Sequence, residues 1–190
     1  MEREARLAIG RLTANDAAAL ATFFAVLAAD AETVRFFHPH PLTEDFAEEL
    51  CRRVARCRDR FYVARYRTRI VGYLMLRGWD EGFAVPSFGS CVHPHYRGCG
   101  LGQLLLIHAI REAGALAATH LRLTVYKANA RAVHVYRKFG FLFHEKNEHE
   151  LVGLLELSRQ LALPPQTVDE AQLETRTRTR PPNAPEDRAA

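Results

Sequence analysis

Three glycines at alternate positions, Gly98, Gly100 and Gly102, close the run Ser90-Cys91-Val92-His93-Pro94-His95-Tyr96-Arg97-Gly98-Cys99-Gly100-Leu101-Gly102. An apolar strand-like stretch leads into this run, and a helical pattern, Leu101–Ala115, leaves it. A strand–turn–helix junction of this kind gathers backbone N–H groups at the positive end of the helix dipole, where an anion binds. Glycine lets the main chain come close to phosphate oxygens. A nucleoside-triphosphate loop would need four residues between its glycines and then Lys and Ser or Thr, whereas Gln103 and Leu104 follow Gly102. The dinucleotide fingerprint Gly-x-Gly-x-x-Gly also fits poorly, because the spacing differs and the loop lies in mid-chain.

A second constellation stands about 30 residues on, in Val125-Tyr126-Lys127-Ala128-Asn129-Ala130-Arg131-Ala132-Val133-His134-Val135-Tyr136-Arg137-Lys138-Phe139-Gly140-Phe141. Asn129 and Tyr136 lie seven apart, two helical turns, and so share one face. A phenol with a pKa of roughly 10 can donate a proton to a leaving group. Asn129 also suits a helix N-cap, and the two roles are compatible. The carboxylates Asp80 and Glu81, in Arg77-Gly78-Trp79-Asp80-Glu81-Gly82, are candidate proton acceptors. The same Gly-bounded segment reads equally as a solvated turn. His38 and His40 flank Pro39, and His93 and His95 flank Pro94. Neither pair has an evident third ligand, so no metal is expected. His38, His40 and Trp79 are candidates to line a ligand pocket, and Cys99 for an exposed loop thiol.

Arg97-x-x-Gly100-x-Gly102, preceded by Val92-x-Pro94, resembles the acetyl-CoA loop of the GNAT superfamily of N-acetyltransferases. Asn129, Ala132, Tyr136, Gly140 and Phe141 fall where that superfamily carries its second signature. The resemblance covers roughly residues 5–157 in element order. It implies an α/β fold, a mixed and mainly antiparallel central sheet flanked by helices, and acetyl-CoA as cosubstrate. By that resemblance the amides of Arg97, Gly98, Cys99, Gly100, Leu101 and Gly102 bind the pyrophosphate. The backbone of Ser90, Cys91 and Val92 pairs with the pantetheine arm like an added strand, and an amide there polarises the thioester carbonyl. Asn129 holds the arm, and Tyr136 protonates the leaving thiolate. The sheet is expected to splay at the strand carrying Val92. One departure stands out: the Glu that many members carry five residues before the Asn is here Thr124. Asp80, Glu81 or a water chain must then replace it. The implied activity is acetyl transfer to a primary amine by direct attack. A small molecule such as an amino sugar is the leading acceptor. A protein lysine or N-terminus, and a non-catalytic acetyl-CoA-binding module, stay open.

The elements that must position these groups follow from pattern. Strands are expected at 5–12, 61–66, 69–77, 86–93, 121–125, 141–145 and 150–157. Helices are expected from Thr13 to about Ala29, from Thr43 to about Cys57, at Leu101–Ala115 and at 129–139. Residues 34–42, with Pro39 and Pro41, read as a loop. The 190 residues suggest one domain, 1–163, and a disordered tail, 164–190, whose prolines and Arg-Thr repeat leave little to bury. A net charge of +4 is too mild to predict nucleic-acid binding. No apolar run approaches the roughly 20 residues that span a bilayer, so no membrane contact is expected. Four cysteines in no zinc-like spacing are expected to be reduced thiols in a cytoplasmic protein. A homodimer stays open.

Overall fold

A computed structural model describes residues 7–157 and 168–178. Seven strands form one sheet: β1 Leu7–Arg11, β2 Arg60–Tyr66, β3 Arg69–Arg77, β4 Ser87–Val92, β5 His120–Tyr126, β6 Leu142–Glu145 and β7 Glu150–Glu156. Their spatial order is β1-β2-β3-β4-β5-β7-β6. Every neighbouring pair is antiparallel except β4 and β5. The expected mixed, mainly antiparallel α/β architecture is what the chain adopts.

β2 shows why the sheet is central. Phe61 and Val63 face one apolar layer, while Tyr62, Ala64 and Tyr66 face the other. Period-2 alternation thus serves two cores at once. In β3 the phase shifts: Ala64 pairs with Gly72 and Arg65 with Ile70, leaving Val71 as a bulge residue. The first layer is α1 (Ala17–Ala28) and α3 (Glu44–Arg53), which bring Leu20, Phe24, Leu27 and Leu50 to the sheet. The second is α4 (Leu101–Ala115), with Leu101, Leu105, Leu106, Ala109, Ile110 and Ala113 turned inward. The helix approaches so closely that a Cβ on Gly72 would stand 3.0 Å from a Leu105 methyl. α5 (Ala130–Lys138) follows β5. Among the described residues no helix is long and apolar enough to cross a membrane.

Two expectations need correction. Residues 34–36, expected within the loop 34–42, instead complete a short helix, α2 (Ala31–Phe36). The Asp30 carboxylate caps it, accepting from the Thr33 N–H at 2.8 Å, a local bond that the prolines downstream do not disturb. The tail is also not uniformly without structure, since α6 spans Glu170–Arg178. Leu173 is fully buried in the α4-side core, and Glu174 accepts from Tyr66 Oη at 2.5 Å and from Arg67 Nη2 at 2.6 Å. One buried leucine with flanking polar clamps suffices to dock a segment that composition alone reads as solvated. The rest of 164–190 lies outside the described residues.

Candidate active site

Among the described residues β4 and β5 share a single bridge, Ser87 opposite Arg122. The Arg122 N–H donates to Pro86 O at 2.9 Å, and Arg122 Nη1 to Ser87 Oγ at 3.1 Å. Beyond this point the two strands diverge. On its other side β4 stays paired with β3 as far as Val92, and the His93 N–H donates to Val71 O at 2.9 Å. Hydrogen-bonding direction alternates along an antiparallel strand. Ser90 and Val92 therefore turn their N–H and C=O groups to the gap, with no strand partner among the described residues. The gap opens into a cavity of about 970 Å³, lined on this side by Ser87 to Val92.

Tyr136 and Asn129 both reach this cavity from α5. The Tyr136 ring packs edge-on to Phe88 at 6.2 Å and against Phe141 at 5.7 Å. Burial, and secondarily the neighbouring Cys91, push its hydroxyl up to about 12, so it stays protonated across the neutral range. Asn129 is the N-cap of α5: its side-chain oxygen accepts from the Ala132 N–H at 3.1 Å. The group it can still offer the cavity is its NH2. Cys91 lies in β4 with its thiol buried and pushed far above the ordinary range, which leaves it a neutral packing group.

At the other end of β4 the glycine loop meets α4. Gly98 and Gly100 sit at φ +83° and +85°, left-handed values that glycine reaches without strain. Gly100 is the N-cap residue, and the first bond of the helix runs from the Leu104 N–H to Gly100 O at 3.0 Å. The N–H groups of Leu101, Gly102 and Gln103 precede it and have no intrahelical acceptor. Gln103 is thus an amide donor that the motif spacing did not mark. Arg97 differs from expectation, because its N–H donates weakly to Pro94 O at 3.3 Å. Its guanidinium turns to α2, meeting Asp30 at 2.6 Å, Glu32 at 3.1 Å and Thr33 Oγ1 at 2.7 Å. Burial raises the Asp30 carboxyl, but the bonds from Arg97 and Thr33 outweigh it and hold the group below its usual range. Cys99, expected as an exposed thiol, is buried.

The two candidate carboxylates part company. Asp80 accepts from the backbone N–H of Arg58 at 2.7 Å and, at 3.5 Å, of Asp59. Asp59 in turn accepts from the N–H groups of Gly78 at 2.9 Å and Asp80 at 3.2 Å. This reciprocal clamp ties two loops together, and Asp80 takes no part in lining the cavity. Glu81 does line it, 3.7 Å from Arg77 Nη2 and well exposed. Thr124 also stands in the cavity wall, at the place where the resemblance expects a Glu.

A further wall of the cavity carries His38, one of the sequence candidates, together with residues that the motifs did not reveal. Phe36, Phe37, His38 and Pro39 form one wall, with Phe83, Tyr126 and Glu150 among the others. His38 packs edge-on to Tyr126 at 5.5 Å. Glu150 is held below its usual range by hydrogen bonds from Lys146 and Asn147, so it carries full charge at neutral pH. The run Phe36-Phe37-His38-Pro39 was the available signal, an aromatic cluster beside a proline. His40 and Trp79 do not reach the cavity. His40 stacks on Phe46 at 4.3 Å, and Trp79 joins the core.

The family model of the acetyltransferase (GNAT) family matches residues 25–141. Streptothricin acetyltransferase of Streptomyces lavendulae is 46% identical over 65 residues, which are 34% of this chain and 33% of that protein. The match therefore spans about a third of that curated relative. An acetyltransferase of the GNAT family from Streptococcus pneumoniae superposes with a TM-score of 0.65 at 22% identity, covering 80% of this chain and 99% of that one. yncA of Salmonella typhimurium, solved with its cofactor acetyl-CoA, superposes at 0.62 with 19% identity, over 85% of this chain and 99% of that one. At these identities the two structures establish the shared fold.

Proposed function

The chain belongs to the GNAT family of acetyltransferases, and from that premise we propose that it transfers the acetyl group of acetyl-CoA to a primary amine of a small molecule. The carrying observation is the single bridge at Ser87 and Arg122, beyond which β4 presents free main-chain groups to a cavity that holds Tyr136 and Asn129. The residues fit acetyl-CoA. Gly98 and Gly100 bring a loop to positive φ at the N-terminus of α4, and the splayed strands offer an extended arm an edge to pair with. Acetyl-CoA supplies an activated acyl group on a thiol leaving group.

The chain supplies orientation and protons. Ser90 and Val92 offer N–H donors to an extended, amide-bearing arm, and Asn129 offers its NH2. Donors fixed in advance on a strand cost no reorganisation when charge develops on a carbonyl oxygen. Tyr136, protonated at neutral pH, holds a proton at the place where a thiolate would leave. Thr124 cannot act as a base. Glu81 and Glu150 attract an ammonium to the acceptor end, and deprotonation there falls to Glu81 or to water.

The aromatic faces of Phe36, Phe83 and Tyr126 beside two carboxylates suit a cationic amine. A small acceptor, such as an amino sugar or the antibiotic named for the Streptomyces relative, matches a concave site of about 970 Å³ better than a folded protein surface does. The test is CoA release from acetyl-CoA over a panel of amines, amino sugars and peptides, with Tyr136→Phe as control. Turnover with a small cationic amine that the variant loses supports the reading. Tight acetyl-CoA binding with no turnover across the panel would instead make the chain a binding module.

A further inference from the structure

The lysine and arginine side chains that line the cavity are Arg77, Arg97, Arg122 and Lys146. Carboxylates answer all of these but one. Arg77 Nη2 stands 3.7 Å from Glu81, Arg97 meets Asp30 at 2.6 Å and Glu32 at 3.1 Å, and Lys146 Nζ meets Glu150 at 2.8 Å. Arg122 is half-buried and has no carboxylate partner among the described residues. Its Nη1 donates to the Ser87 hydroxyl at 3.1 Å, and that partner is neutral. Nε and Nη2 have no acceptor among the described residues, and the Ser87 hydroxyl keeps a proton of its own to donate. A partly desolvated cation without a counter-charge is costly, and an anion arriving with a ligand would relieve that cost.

Strand alternation fixes the face on which this cation stands. Leu121, Leu123 and Val125 belong to the α4-side core, so Arg122, Thr124 and Tyr126 point to the opposite face, toward α1 and α3. Ser87 shares that face with Cys91, whereas Phe88 turns the other way to meet Tyr136. Arg77 pairs with Ser87 across β3, which completes the row Arg77, Ser87, Arg122 over three neighbouring strands. The glycine loop follows the far end of β4, a strand of six residues that spans about 17 Å. The phosphates of a CoA seated on that loop are thus out of reach of Arg122, and its anion must belong to another ligand.

We propose that Arg122 and the Ser87 hydroxyl form a carboxylate subsite, so that the acceptor is a small amine that also carries a carboxylate. This rests on the reading of the cavity as a site of acetyl transfer to an amine. A planar guanidinium offers N–H groups in a fork that matches the two oxygens of a carboxylate, and such a charge-assisted bond is roughly twice as strong as a neutral one. Held at the closed end of the slot, the carboxylate leaves the amine to extend toward the parting of β4 and β5.

The experiment measures kcat/KM by CoA release from acetyl-CoA for the full chain, Arg122→Gln and Arg122→Lys. The acceptors are β-alanine, 5-aminopentanoate and lysine, each beside its carboxamide, together with glucosamine and cadaverine. In the parent at least one acid is expected to exceed its amide by roughly tenfold to a hundredfold, mainly through KM, in line with a hydrogen bond between charged groups. Arg122→Gln retains an N–H donor for Ser87 and should bring that ratio close to one. Arg122→Lys keeps the charge without the fork and should fall between. If Arg122→Gln slows acid and amide by the same factor, Arg122 only supports the strands and the proposal is overturned. A parent that prefers the amides, glucosamine or cadaverine to every acid overturns it as well. Acetyl-CoA binding without turnover of any acceptor overturns the underlying reading instead.

Discussion

Ser87 and Arg122 face each other as the one bridge between β4 and β5, and the Arg122 guanidinium reaches back to the Ser87 hydroxyl at 3.1 Å. The pair sits at the closed end of the slot and sets where the strands begin to part. Arg122→Ala removes the side-chain pin while the backbone bond to Pro86 remains. A neutral hydroxyl accepting from a charged donor is worth about 1–2 kcal/mol. The melting temperature should fall by roughly 2–8 °C. An unchanged melting curve would show that the main chain alone sets the splay.

Tyr136→Phe keeps the ring against Phe88 and Phe141 and deletes only the hydroxyl. If the hydroxyl protonates the leaving thiolate, kcat should drop by roughly 10² to 10⁴, with acetyl-CoA affinity nearly unchanged. Steady-state kinetics beside a direct binding measurement separates the two. A loss confined to KM would make Tyr136 a wall residue.

Asp80 and Glu81 predict opposite phenotypes. Asp80→Ala breaks the clamp onto Arg58 and Asp59 and should lower stability by about 1–3 kcal/mol, leaving the pH–rate profile of the surviving enzyme intact. Glu81→Gln should keep the melting temperature and raise KM for a cationic amine. Urea unfolding and amine-saturation curves read the two effects independently.

Acid lability should come from histidines as well as carboxylates. His40 and His93 are each pushed down to about 4, chiefly by burial, against an ordinary value near 6.5. Between these values the unfolded chain binds protons that the folded chain refuses. Stability is then full above about pH 6.5 and falls as the pH drops toward 4, by at most about 1.4 kcal/mol per unit for each histidine. Denaturant midpoints measured from pH 7 to 4.5 should decline. A flat profile over that window would mean that neither ring is held neutral.

Local signals carried much of the reading. α4 has the expected bounds because its apolar rows, the glycine at its N-cap and the loop before it all agree. Asn129 at the head of α5 and Tyr136 two turns on follow from helical geometry alone. What escaped was decided by partners distant in sequence. α6 depends on Tyr66, Arg67, His95 and Tyr96, and its own composition shows only one leucine to bury. Asp80 and Glu81 are adjacent and chemically alike, and only the course of the turn sends one to the Arg58 loop and the other to the cavity. The cavity wall at Phe36 to Pro39 reads locally as a proline-broken loop, and its place in the cavity appears only when α2 is anchored to the glycine loop through Arg97 and Asp30.

The parting of β4 from β5 creates a strand edge in the middle of a sheet rather than at its rim. An open edge is ordinarily a template for pairing with another chain, and proteins blunt theirs with charge, proline or a bulge. Here Phe36 to Pro39 and the α5 residues Ala132 and Tyr136 line the same cavity as Ser90 and Val92, which sets this edge in a recess. A recessed edge of this kind suits a narrow, extended guest better than the broad rim of a second sheet.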